Sequence, residues 1–231
     1  MSRTIYFHHS SRIFVILLLF LIFVCSLLFL GVISVAFANI GFTSMTIFLI
    51  LIGTLLGSTV NIPLMKIKAV VPIIREEYVS YLWVTYRIPY VEYDTTVTTV
   101  AVNVGGALIP TAVSIYLLSK AAPLMMFYSL IGVAAVALFT YAVARPVKGV
   151  GIVTPAFLPP LAAAAVALFL SPMQPQIIAY VSGVLGTLIG ADILNLDNIP
   201  KLGAPVASIG GAGTFDGVFL SGIIAVLLVG F

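Results

Sequence analysis

"GTLLGSTVNIP" (Gly53–Pro63) and "GTLIGADILNLDNIP" (Gly186–Pro200) are two versions of one phrase, the second with four extra residues before the shared Asn-Ile-Pro. Further on, "VAVNVGGA" (Val100–Ala107) is echoed by "PVASIGGA" (Pro205–Ala212) in the same order. Two matched blocks in matched order point to an internal duplication. Repeat one spans residues 13–118 and repeat two spans 153–230, with a linker helix over 123–143 between them. An odd linker leaves both repeats running the same way across a membrane, related by an axis along its normal.

The composition explains why a membrane enters the reading. Of 231 residues 62% are hydrophobic and only 7% are charged, against roughly 25% charged in a soluble domain. Such a chain cannot coat a water-facing surface. Apolar runs of crossing length fall at 13–37, 40–62, 95–118, 123–143, 153–170, 176–196 and 205–230. The expectation is an all-α polytopic membrane protein: a single transmembrane domain over 1–231, with seven helices in a 3+1+3 pseudo-symmetric repeat. The first run ends in Ala36-Phe37-Ala38, which imitates a signal-peptide cleavage site. Its apolar stretch exceeds the roughly 7–15 residues of a signal core, so it reads as a helix.

Basic residues support the count. With the N-terminus in the cytoplasm, Arg3, Arg12, Lys66, Lys68, Arg75, Arg87, Arg145, Lys148 and Lys201 lie inside and Lys120 alone lies outside, as the positive-inside rule requires. The expected location is the cell membrane, multi-pass, with the C-terminus extracytoplasmic. The basic residues never form a run, so no nucleic-acid partner is implied. The lone Cys25 excludes a disulfide framework, and His8 and His9 read as a solvated tail, so no metal or other cofactor is expected.

The loop over 64–93 contains "IKAVVPIIREEYVSYLWVTYRIPYVEY" (Ile67–Tyr93), β-branched and aromatic residues around Arg75-Glu76-Glu77. This predicts a cytoplasmic β-hairpin inserted in repeat one. Its Tyr78, Tyr81, Trp83, Tyr86, Tyr90 and Tyr93 suit the headgroup level. A strand edge that pairs with a peptide or gates a cavity is the alternative role. Asp94 precedes the third run and reads as an N-cap.

Two carboxylates remain. Asp192 lies near the cytoplasmic end of the sixth run, and Asp216 stands in the first turn of the seventh, after the Gly- and Ala-rich "LGAPVASIGGAG". Irregular backbone at membrane depth is tolerated where it lines a cavity or is buried in protein. A charge there costs about 2.5–3.5 kcal/mol on insertion scales and marks function by default. Aligned without gaps, Asp192 falls opposite Thr59 and Asp216 opposite Thr111. The expected binding site therefore comprises Asp192, Asp216, Thr59, Thr111 and the two glycine breaks with their flanks, Asn103, Gly105, Gly106, Ser208, Gly210 and Gly211. A transporter or ion- or proton-coupled permease of a small solute is the first reading. Catalysis by Asp192 and Asp216 as an intramembrane aspartyl protease is the alternative, and a non-catalytic assembly or sensor protein is the third. The partners implied are the lipid bilayer and either a small solute or cation or a transmembrane peptide; nothing fixes an oligomeric state.

The layout of Asp192 on one helix and Asp216 behind "GAGTFD" on the next resembles the paired aspartates of the GxGD intramembrane proteases, which implies peptide cleavage. The stretches "GTLIGAD" and "GGAGTFDG" resemble a prokaryotic family of small membrane proteins known as a domain of unknown function. That resemblance implies a membrane location and no established activity.

Overall fold

The computed structural model describes residues 12–81, 83–147, 151–171, 173–202, 204–211 and 216–230. His8, His9, Arg3, Lys148 and the approach to Asp216 through Thr214 and Phe215 lie outside the described residues.

The described residues form seven α-helices and five strands, interspersed with π-helical and 3-10 turns. The first is α1 (Arg12–Ile40), followed by α2 (Ser44–Gly57), β1 (Asn61–Tyr81) and β2 (Val84–Asn103). A π-helical turn, Val104–Leu108, leads into α3 (Ile109–Lys120), and α4 (Pro123–Val143) follows. A small hairpin pairs β3 (Arg145–Val147) with β4 (Gly151–Val153), ahead of α5 (Leu158–Leu170). Helix α6 (Gln176–Val181) continues as π-helical backbone through Ser182–Gly186 and Leu188–Ile193. A 3-10 turn (Leu196–Leu202), β5 (Val206–Ile209) and α7 (Gly217–Val229) complete the chain.

The seven-span, all-α expectation is overturned. Among the described residues three helices are long and apolar enough to cross a membrane: Phe14–Ile40, Pro123–Val143 and Gln176–Ile193. Helices α2, α5 and α7 have 14, 13 and 13 residues, about 20 Å each, short of the roughly 30 Å hydrocarbon core. A three-stranded mixed sheet of order β1-β2-β5 and the β3–β4 hairpin account for the missing length. The runs at 95–118 and 205–230 both open as strands, because "TTVTTVAVN" (Thr95–Asn103) and "VASI" (Val206–Ile209) are rich in β-branched residues that favour a pleated backbone. Asp94 is therefore not an N-cap: it lies within β2, paired with Val71.

The expected hairpin is present and longer than 64–93. It pairs antiparallel from Asn61↔Asn103 to Tyr81↔Val84, with one register shift between Pro63 and Met65. Beyond Thr99 it is a two-stranded arm roughly 50 Å long at about 3.3 Å per residue, with Trp83 fully exposed at its tip. Ion pairs Arg75–Glu92 and Arg87–Glu76 brace it. The Thr99 N–H donates to Pro205 O of the neighbouring strand at 2.9 Å, so odd-numbered residues of β2 direct their backbone away from β1. By register, Pro89, Pro72 and Pro63 then all occupy outward positions. Each removes a donor from an open edge, which discourages further strand addition to the arm.

The core is built around α6. Tyr180, Phe37 and Phe219 are fully buried with ring centroids 5.8 and 6.2 Å from Phe37. Gly186 lies against Val136, Gly190 against the Ala137 carbonyl and Thr140, and Gly183 against Gly222. Small residues thus let α4, α6 and α7 approach at backbone distance, the usual solution where the hydrophobic effect cannot drive helix association. A methyl group at Gly190 would overlap Ala137 O. Gly190→Ala should accordingly cost about 1–3 kcal/mol, whereas Gly31→Ala, with nothing within 4 Å, should be neutral or mildly stabilising. Thermal unfolding of both variants in detergent checks this; equal stability of the two would contradict the packing.

Candidate functional site

The repeated motifs meet in the sheet. β2 and β5 run parallel side by side, Thr99↔Val206 through Val102↔Ile209, and each strand leads into its own Gly-Gly pair. Gly105 packs on the backbone of Thr54 and Ser58 at the end of α2, and Gly106 packs on the Gly210 carbonyl. Both contacts leave no room for a Cβ. The first glycine pair thereby clamps the second.

Gly210 and Gly211 both have φ of 79°, a left-handed conformation that glycine adopts without steric cost. This turn holds the two aspartates. The Gly210 N–H donates to Asp192 Oδ2 at 2.7 Å, and the Asp216 carboxyl occupies the space that a Gly211 side chain would need. Asp192 arrives from the π-wound end of α6, a backbone form frequent at functional sites. Asp216 stands at the N-cap position of α7, yet its side chain makes no capping bond within the helix. The two carboxylates meet the same two-residue turn, Asp192 at Gly210 and Asp216 at Gly211. Burial raises the pKa of Asp216, opposed by the Gly217 N–H.

Both carboxylates line a cavity of about 510 Å³. Its lining includes β5 with Gly211, β4 with Thr154, and Asn61 at the start of β1. Thr187 forms part of the lining and shares a 2.9 Å hydrogen bond with Ser221 of α7. Among the described residues β5 pairs only with β2 and β4 only with β3, so two unpaired strand edges border the cavity.

The residues singled out from the sequence divide in two. Asp192, Asp216, Ser208 and Gly211 line the cavity, and Gly210 binds Asp192. Asn103, buried, reaches the site through a 3.2 Å bond to Asn61, while Gly105 and Gly106 support it from behind. Thr59 and Thr111 do not face the aspartates. The Thr59 hydroxyl caps Leu56 O at 2.8 Å, and the Thr111 hydroxyl is buried in α3 without a partner. The ungapped alignment fails at both because Asp192 precedes a 3-10 turn where Thr59 precedes a strand, and Asp216 precedes its helix where Thr111 lies inside one. Asn61, Thr187 and the β4 wall were missed, although Asn61 and Thr187 stand in the repeated phrase itself. Among the described residues no group of three or more His, Cys, Asp or Glu could hold a metal ion.

Fold and site together define a protein with three helices of membrane-crossing length and an aspartate-lined cavity beside a mixed sheet. The chain belongs to the DUF1614 family, described as a protein of unknown function, whose model matches residues 55–228. That span contains every cavity residue and excludes α1. No curated protein and no solved structure matches the chain.

The raised pKa of Asp216 has a stability consequence. The folded chain binds this proton more tightly than the unfolded chain, so the contribution is present below the ordinary aspartate pKa of about 4 and is lost as pH rises through the folded value. Asp216→Asn should therefore unfold at a higher temperature than the parent at neutral pH, with the gap closing towards pH 4. A gap independent of pH would contradict burial of the carboxyl.

Proposed function

We propose that Asp192 and Asp216 are the acid–base pair of a membrane-bound aspartyl hydrolase that cleaves extended peptide segments. The observation that carries this reading is the seating of both carboxylates on one Gly210–Gly211 turn beside the open edge of β5. Two carboxylates gathered on one short turn share a proton more readily than they both ionise. The ionised member takes a proton from water as the water oxygen attacks the amide carbon. The protonated member gives its proton to the carbonyl oxygen. Collapse of the tetrahedral intermediate breaks the C–N bond: the leaving nitrogen receives the proton taken from water, and the hydroxyl made from the carbonyl oxygen returns its proton to the aspartate that gave it, which restores the pair. The unpaired edges of β5 and β4 supply backbone partners for a substrate in extended form.

The transport reading depends on hydroxyls of repeat one facing the aspartates, and Thr59 and Thr111 lie elsewhere. The bilayer setting is multi-pass with the cavity end cytoplasmic. Its support is charge: α2 ends and α6 ends at the cavity, where Lys66, Lys68, Arg145 and Lys201 also fall in the chain, while Lys120 closes α3 at the opposite end. The N-terminus of α1 is then cytoplasmic and the end of α7 points away from that side.

Purified protein in liposomes should cleave members of a quenched-fluorescence library of transmembrane peptides. Asp192→Asn and Asp216→Asn should each lower the rate by about 10²–10⁴-fold or more, and reaction in ¹⁸O-water should label the new carboxyl. Cleavage indifferent to either substitution, or aspartate-dependent proton or solute flux without cleavage, would overturn the hydrolase.

A further inference from the structure

We infer that Asn61 is the carbonyl-binding donor of this site, its side-chain NH₂ directed at the oxygen of the amide bond under attack. The inference rests on the acid–base reading of the aspartates and adds the group that holds the substrate carbonyl.

Asn103 is fully buried, and both ends of its amide are committed to backbone: Oδ1 accepts from the Gly106 N–H at 2.6 Å and Nδ2 donates to Ser58 O at 2.8 Å. Its orientation is therefore settled. The second hydrogen on Asn103 Nδ2 needs an acceptor, and the atom in place is Asn61 Oδ1 at 3.2 Å. That fixes which way round Asn61 lies, because a flipped amide would set two NH₂ groups against each other. Ser208 Oγ then donates to the same Asn61 Oδ1 at 2.7 Å.

With its oxygen accepting two bonds, Asn61 keeps an NH₂ group for which no described residue provides an acceptor, on an exposed residue that lines the cavity. Ser208, Gly210 and Gly211 connect this amide to the carboxylates: Ser208 orients Asn61, Gly210 binds Asp192 and Gly211 seats Asp216. One short stretch thus positions an acid, a base and a neutral donor. Buried Asn103 and the hydroxyl of Ser208 hold the donor rigid, which is what stabilising a developing oxyanion requires; loss of one such donor costs about 10²–10³-fold in rate. The ligand class that a free NH₂ donor beside two acids fits is a chain with an amide carbonyl.

Two variants test it in the same liposome cleavage assay. Asn61→Asp keeps the acceptor for Asn103 and Ser208 but, when ionised, has no donor. Its kcat should fall about 10²–10³-fold with KM within about threefold, and the ratio to the parent should recover as pH is lowered and the new carboxyl gains an O–H. Asn61→Ser should show the same loss without acid recovery. Cleavage that needs both aspartates yet proceeds at parental kcat in Asn61→Asp and Asn61→Ser overturns the assignment alone. A loss appearing in KM rather than kcat, or acid recovery equal in both variants, also overturns it. Absence of aspartate-dependent cleavage by the parent removes the hydrolase reading and this assignment together.

Discussion

The bond from the Gly210 N–H to Asp192 Oδ2 joins the end of the central helix to the turn after β5, at the wall of the cavity. Without it α6 would end in an unpaired carboxylate, and the turn after β5 would have no fixed direction. With it, a left-handed Gly-Gly turn becomes a seat for two acids. The seat is itself held from behind, since Gly106 rests on the Gly210 carbonyl and Gly105 on the end of α2. A series of close contacts runs from the end of α2 through both glycine pairs to the Asp216 carboxyl. Substitution anywhere along it would displace a carboxylate rather than merely loosen a loop.

The duplication takes on a physical meaning in this arrangement. Its halves are not two bundles facing across a midplane; their strands lie side by side in one sheet and their glycine turns interlock. Asn103 and Ser208, equivalent in the repeat, both donate to Asn61 Oδ1. Repeat one has become the support and repeat two carries the acids. The long arm grows out of the supporting half and takes no part in the cavity beyond its root at Asn61. Outward prolines keep its edges from recruiting further strands.

Part of this was legible in the sequence. Low charge and long apolar runs announced membrane-crossing helices, and three are long enough. The alternation around Arg75-Glu76-Glu77 announced the hairpin. Counting seven spans failed because hydropathy does not separate a Val- and Thr-rich strand from a helix, so Thr95–Asn103 and Val206–Ile209 were absorbed into helices they precede. Pairing Thr59 and Thr111 with the aspartates failed for a related reason: matching phrases need not share secondary structure. Asn61 could not be recognised in advance. Its role depends on which amide end Asn103 leaves free, a property of tertiary hydrogen bonding that spacing along the chain does not carry.

As the proposed acid–base pair, Asp192 and Asp216 should titrate together rather than as two separate acids. Carboxyl titration by isotope-edited infrared spectroscopy on the protein in lipid, with and without Asp216→Asn, reads this out. Removing the Asp216 charge should displace the titration of Asp192, and the parent should show two linked steps. A titration of Asp192 unmoved by the substitution would contradict it, leaving two isolated carboxylates that happen to share a cavity wall.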